Sequence, residues 1–475
     1  MQPIEINGNI VTMTRWLPQL RREKPLYIEI ADAIRQDLTR GVLKPGDRLP
    51  PQRDLAYRLG VTTGTVTRAY AEIDKMGLLS GEVGRGSFLK NPVVRTTASS
   101  LSRDVDNGLI DLSHAAPPNI YSPEDLDFAL RNMTGQPNNL RLLDYGPING
   151  FPDHRAMGAA WLARSGIAVS DADVIVTSGA HAGLVACLSA LTQQGECLMT
   201  EALSYPTIKP IARHLGLTIT AVEIDDHGLL PEALEHAIRS SGSRVLYAIP
   251  SLQNPTAGTL PHDRRLAIVE IARRHDLTII EDDLFRLLDP RTQAPTFYSM
   301  APERTYHITS ISKTLSPGLR VGFVATPAGV AGHVTRHLAV AGGRCAGLAA
   351  EIARQWIGSD TADRILSAII TESATRRQLA LTVLQGRDLL CAPGSCFLWL
   401  KLPEQWTPGD FARELDDRGV RVTPGTAFAV DRRADDQAVR ICFGGTASRD
   451  QFGKALATVN QLLDQDPAER FSHVA

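Results

Sequence analysis

Thr309-Ser310-Ile311-Ser312-Lys313, followed by Pro317-Gly318-Leu319-Arg320, sets a lysine in a small, hydroxyl-rich loop and an arginine seven residues after it. A lysine in such a loop can hold an aldehyde cofactor as a Schiff base, and a guanidinium fork suits a pair of phosphate oxygens. The stretch lies between two short apolar runs, Tyr306 to Ile308 and Val321 to Ala325. Upstream, Val174 to Thr177, Cys197 to Thr200, Ile219 to Ile224, Val245 to Ile249 and Leu277 to Ile280 alternate with helical patterns. Such runs are expected as strands buried on both faces of a mostly parallel α/β sheet. Ligands of such sheets bind beyond the carboxyl ends of the strands.

Polar motifs follow nearly every run. Ser178-Gly179-Ala180-His181 leads into a helix expected over Leu184 to Leu191, so the amides of Ala180 and His181 are candidates for an anion. A plain strand-to-helix turn would read the same way. Tyr205, before Pro206, offers an aromatic face at that rim or is a half-buried loop residue. Asn254, in Gln253-Asn254-Pro255-Thr256, could donate to a ring hydroxyl or simply make a turn. In Glu281-Asp282-Asp283 a buried carboxylate is costly unless paired, and a pyridinium nitrogen is a suitable partner; metal ligation and solvation stay open. Val439-Arg440-Ile441-Cys442-Phe443 puts an arginine inside an apolar strand, where a substrate carboxylate would neutralise it. Together with Lys313, Ser310 and Arg320, these are the partners that a pyridoxal phosphate ring would need.

The 475 residues exceed one ordinary core and imply two or three domains, and 43% hydrophobic with 21% charged content is that of a globular chain. No apolar run approaches the roughly 20 residues of a membrane span, and the N-terminus lacks a basic start with an apolar centre, so a cytoplasmic location is expected. Cys187, Cys197, Cys345, Cys391, Cys396 and Cys442 show no C-x-x-C spacing and read as buried free thiols, with no metal site. Net charge is −2, but residues 1 to 90 hold 14 Lys+Arg against 10 Asp+Glu, leaving 36 against 42 elsewhere. A basic head on an acidic body suits a nucleic-acid module fused to an unrelated domain.

The head, residues 1 to 90, has three helical stretches. Leu26, Ile30, Ala33, Ile34 and Leu38 share one face, and Gly41 and Pro45-Gly46 end that helix. A second helix follows Pro50-Pro51 and stops at Gly60. Thr62 can cap a third, in which Val66, Ala69, Tyr70, Ile73 and Met76 form a core stripe. Gly64, Arg68, Ala71 and Lys75 then face outward, with Thr63, Thr65 and Thr67 near the helix start, where a recognition helix meets base edges. Leu79-Ser80 and Gly84-Arg85-Gly86 with Ser87-Phe88-Leu89 fit a two-stranded wing. Leu26-Tyr27, Gly46-Asp47-Arg48-Leu49-Pro50, Arg53-Asp54-Leu55-Ala56, Thr65-Val66 and Gly84-Arg85-Gly86 resemble the winged helix-turn-helix of GntR-type regulators. That resemblance implies that Arg53, Thr63, Thr65, Arg68 and the wing's Arg85 contact operator DNA. Thr63 and Gly64 depart from residues common in the family, so the operator is not read by analogy. Residues 91 to 108 lack an apolar period and are expected as a linker spanning roughly 20 to 25 Å.

From residue 109 to 475 the ordered motifs resemble fold-type I aminotransferases with large and small subdomains, and head plus body resembles the MocR-like regulators. The resemblance implies Lys313 as the lysine carrying pyridoxal 5'-phosphate (PLP) and Asp282 under the pyridine nitrogen. It puts Asn254 near the ring hydroxyl, Tyr205 on the ring, and Ala180, His181, Ser310 and Arg320 at the phosphate. Arg440 would hold the carboxylate of an amino-acid or amine-type effector. Tyr145, in Asp144-Tyr145-Gly146, would reach the partner subunit's phosphate in a homodimer. Where relatives place a tyrosine after the ring aspartate this chain has Leu284 and Phe285, and His181 replaces a commoner glutamine or serine. Two functions are expected in order: a regulator sensing PLP or an effector through Lys313 with little or vestigial catalysis, or a working aminotransferase with an appended head.

Overall fold

The computed structural model describes residues 4–6, 9–11, most of 16–89, and 109–465 apart from 290, 293, 432–433, 435 and 445–447. Two compact units divide the chain, Met1–Ala98 and Ser99–Ala475. The linker at 91–108, Met76 and the wing tip with Arg85 lie outside the described residues.

In the first unit, helices α1 (Leu26–Thr39), α2 (Gln52–Leu59) and α3 (Thr63–Lys75) pack through Ile30, Ile34, Leu55, Val66, Ala69 and Ile73, all fully buried. The stripe at i, i+3, i+4 and i+7 is therefore the core face, as expected. Gly60 ends α2 at φ +65°, a left-handed cap that costs glycine little. Thr62 caps α3 by accepting from the Thr65 amide at 3.3 Å. Strands β1 (Leu79–Glu82) and β2 (Gly86–Leu89) pair antiparallel as the wing.

The second unit opens with β3 (Ile110–Asp111) and is built on a seven-stranded sheet. Its strands are β4 (Val174–Thr177), β5 (Cys197–Glu201), β6 (Thr218–Val222), β7 (Val245–Ala248), β8 (Thr278–Asp282), β9 (Thr305–Ser310) and β10 (Gly322–Ala325). The spatial order is β4-β10-β9-β8-β7-β5-β6, and only β10 runs against its neighbours. All seven apolar runs are strands of this one sheet. The run Ile219 to Ile224 is shorter than expected: it leaves the sheet at Val222, and Ile224–Asp225 pairs instead with Gly228–Leu229. The helix after β4, α4 (Ala180–Leu191), starts four residues earlier than expected, because Gly179 at φ +101° turns the chain at once. A smaller antiparallel sheet holds β11 (Phe397–Lys401) and β12 (Ala438–Cys442), the strand of Arg440. The short β3 pairs in parallel with Val420–Arg421, which ties the start of this unit to its C-terminal part. All six cysteines are free; three are buried and three half-buried.

Candidate functional site

The carboxyl ends of β4, β5, β7, β8 and β9 lie along one edge, which gathers the expected residues from distant sequence positions. At the end of β4 the phosphate-type cradle is tightly built. A methyl group on Gly322 would lie 2.6 Å from the Gly179 carbonyl carbon and 2.8 Å from the Ala180 nitrogen; one on Gly179 would lie 2.7 Å from Arg320 Nη2. The absent side chains let the first turn of α4, with Ala180 and His181, sit under the Arg320 guanidinium. Arg320 itself takes φ +52° and donates to the Ser178 carbonyl at 3.4 Å. A helix N-terminus and a guanidinium brought this close together suit an anion.

Lys313 Nζ donates to the Ala115 carbonyl at 2.5 Å and stands 5.9 Å from the Phe285 ring centre. Burial pulls its pKa down, with Arg440 and Arg320 adding to the effect, so the amine is more readily neutral and nucleophilic. Asp282 is buried and accepts from the Tyr247 hydroxyl at 2.7 Å. Burial raises its carboxyl to about 6, against the lowering by Tyr247. A group so placed gains from a cationic partner. Tyr205 is half-buried and meets His181 edge-on at 6.5 Å; burial raises its phenol and, together with Arg320, lowers His181. Arg440 donates from Nη1 to Asn254 Oδ1 at 2.6 Å and from Nη2 to the Ser113 carbonyl at 2.5 Å, beneath the Phe428 ring at 4.8 Å. Its Nε is buried with no hydrogen-bond partner among the described residues. Ser310 is buried and accepts from the Ser312 amide.

Tyr145 stands apart from this group: it is 92% exposed, with the Arg344 guanidinium 5.8 Å from its ring centre. Arg344 bridges to Thr177 at the end of β4, so Tyr145 marks the rim of the site. Leu284 is half-buried, and Phe285 is buried edge-on against Phe397 at 5.4 Å. Neither supplies a hydroxyl.

Three contributors were missed from sequence. Tyr247 looks like an ordinary strand residue, yet register puts it opposite Ile280 and hence on the same face as Asp282. The segment Ser113–Ala115 touches both Arg440 and Lys313 through carbonyls, which carry no sequence signal. Glu201, the last residue of β5, accepts from the Ile249 amide at 2.6 Å in full burial, which raises its carboxyl to about 7. The folded state thus keeps a proton that the unfolded chain loses near pH 4.5. Stability from this group is present at low pH and lost as pH rises from about 4.5 through 7, by roughly 3 kcal/mol at one pKa unit per 1.36 kcal/mol. Urea melts of Glu201→Gln and wild type should therefore diverge with increasing pH, the variant holding its stability above pH 7. Parallel pH profiles would contradict this assignment.

In the head, Arg53 and Thr63 line a groove of about 490 Å³ with Arg48, Gln52 and Ser87. Thr67 donates to Gln52 Oε1 at 2.8 Å, joining α2 to α3. Thr65 is half-buried and shares a 2.9 Å hydrogen bond with Thr62. Arg68 is exposed but its guanidinium lies 4.6 Å over Tyr27, a cation–π contact that fixes its direction.

Residues 129–457 match the family model for aminotransferase class I and II, and residues 26–89 that for bacterial regulatory proteins of the gntR family. The chain belongs to the MocR-type regulators, a GntR head on an aminotransferase class I and II body. The HTH-type transcriptional regulator YdeF of Bacillus subtilis is 28% identical over 94% of this chain and 97% of its own length. The vitamin B6 salvage pathway transcriptional repressor PtsJ of Salmonella typhimurium is 27% identical over 92% of this chain and 98% of its own. Among solved structures, an archaeal alanine:glyoxylate aminotransferase superposes with a TM-score of 0.69 at 24% identity, covering 75% of this chain and 90% of that one. That likeness establishes the aminotransferase fold of the body. A MocR-type protein is a DNA-binding transcriptional regulator, and its winged head is the part that binds DNA.

Proposed function

We propose that this MocR-type regulator binds PLP on Lys313 and responds to PLP, or to an amino-acid or amine effector, by changing how its heads engage operator DNA. The observation that carries this reading is the convergence of Lys313, Asp282 and the Gly179–Arg320 cradle at one sheet edge. The donor set fits the group: a neutral-leaning amine for the aldehyde, a buried carboxyl for the ring nitrogen, and helix amides with a guanidinium for the phosphate. When bound, PLP supplies an aldehyde that couples to amines and a ring that draws electrons.

The chain's own residues do the rest. Arg320 and the α4 amides anchor the phosphate, Asp282 holds the ring nitrogen, Tyr205 covers the ring, and Asn254 reaches its hydroxyl. Arg440 turns to an effector carboxylate. Leu284 and Phe285 supply no hydroxyl to the ring oxygen, so the nitrogen joined to Lys313 would be less well tuned for proton transfer, which favours binding over turnover. Tyr145 would complete the partner subunit's phosphate site. Leu140 and Leu143, 71% and 74% exposed beside it in sequence, offer apolar surface for a second copy.

An effector moves the equilibrium only by its different affinity for two arrangements of the heads. Binding of DNA through Arg53, Arg85 and backbone amides predicts strong salt dependence. Between about 50 and 200 mM salt, operator affinity should fall on the order of a thousandfold if about six phosphates are contacted. Fluorescence anisotropy of labelled operator DNA measures it; an affinity independent of salt would contradict electrostatic contact by the head.

A further inference from the structure

Strand β8 ends in Glu281 and Asp282, and Asp283 follows directly; the three acids are 0%, 7% and 3% exposed. Register separates them by face. Tyr247 pairs with Ile280 and so shares a face with Asp282, whereas His307 of β9 pairs with Glu281 on the other face. On that far face His307, itself fully buried, meets Glu281 Oε2 through Nδ1 at 2.9 Å. The Glu281 oxygens also accept from the Phe297 and Tyr298 amides at 2.8 and 3.0 Å, so three hydrogen bonds fix this carboxylate in place.

The groups facing His307 are few. Asp283 follows directly after β8, with both carboxyl oxygens buried and, among the described residues, without a hydrogen-bond partner. Arg286 Nη1 approaches Asp283 to 3.8 Å, and Arg265 Nη1 approaches Glu281 to 3.8 Å. His307 Nε2 is likewise buried without a hydrogen-bond partner among the described residues. Three acids are thus set against two arginines and one imidazole. The arginines keep their charge at any working pH.

We propose that His307 is a positioning residue for the cofactor: from the far face of β8 it supplies the third positive charge that lets Asp282 stand ionised opposite a pyridinium nitrogen. The inference rests on reading the body as a PLP site. The electrostatics agree with the geometry. Burial dominates at Asp282 and raises it, Asp283 raises it further, and His307 and Lys313 lower it. Burial alone would also raise Glu281, but the imidazole and Arg265 hold it below the usual range. Asp283, raised by burial and by Glu281, is relieved by Arg286 and His307.

Two substitutions should act in opposite directions. His307→Gln keeps a donor toward Glu281 but removes the charge; Asp283→Asn removes a far-face negative charge. In PLP titrations of the full-length apo-protein, His307→Gln should weaken cofactor affinity about tenfold, one pKa unit's worth at Asp282. Asp283→Asn should tighten it several-fold. With ¹⁵N-labelled PLP, the ring-nitrogen resonance should move toward the unprotonated position in His307→Gln only. Thermal melts identify any variant that fails to fold, and a general loss of structure would weaken both variants alike. Equal weakening by both, or no change in affinity and resonance for either, overturns the proposal while leaving PLP binding by the wild type intact. A wild-type protein that takes up no PLP overturns the cofactor reading itself, and this inference with it.

Discussion

Lys313→Ala should abolish borohydride-reducible attachment of PLP while leaving thermal unfolding of the apo-protein nearly unchanged. Among the described residues the side chain makes a single hydrogen bond, to the Ala115 carbonyl, and its amine is already pushed toward the neutral state by burial. Removing a buried, poorly solvated amine relieves its own desolvation, which offsets much of the roughly 1 to 3 kcal/mol that an unpaired Ala115 carbonyl costs. Attachment, by contrast, has no substitute, since a covalent link to the aldehyde requires that nitrogen. Mass spectrometry after borohydride reduction reads the outcome. A PLP-sized adduct retained in the variant would reject Lys313 as the attachment point. Noncovalent PLP should still be held by the Gly179–Arg320 cradle, so the variant also separates cofactor presence from cofactor linkage in DNA-binding assays.

Arg440→Ala should cost the binding of a carboxylate-bearing effector about 2 to 5 kcal/mol, the range for removing one partner of a buried, hydrogen-bonded charge pair. That corresponds to a loss of roughly thirtyfold to several thousandfold. Arg440 is 6% exposed and aims both terminal nitrogens at polar atoms, Asn254 Oδ1 and the Ser113 carbonyl, within reach of the Lys313 site. An amino acid and its decarboxylated amine should therefore respond differently: the variant loses the first and keeps the second. Spectroscopic titration of PLP-loaded protein with such a pair makes the comparison. Equal losses for both would mean that Arg440 shapes the pocket without reading the carboxylate.

The sheet was legible because each of its strands is a short apolar run, and burial on both faces removes the polar alternation that would blur it. Where polarity entered, reading failed: the Ile219 to Ile224 run breaks at Glu223, and the chain turns away. Lys313, Asp282, Asn254, Arg320 and Arg440 were visible because a charge or amide at the end of, or inside, an apolar strand needs a reason. Tyr247, Glu201 and His307 were not, because their meaning comes from register between strands and not from neighbours in sequence. Backbone contributors such as Ser113 and Ala115 leave no signal at all. In the head the helical stripe and the glycine cap were plain, whereas the cation–π contact that orients Arg68 depends on how α1 and α3 pack.

The reading of this chain as a sensor is tested most directly by visible spectra of PLP-loaded protein during stepwise addition of amino acids and amines. A shifted cofactor band that persists after one of them is added is the predicted result, and it identifies the effector. Conversion of the cofactor to its aminated form, restored by a keto acid, would contradict the account and make the protein a working aminotransferase.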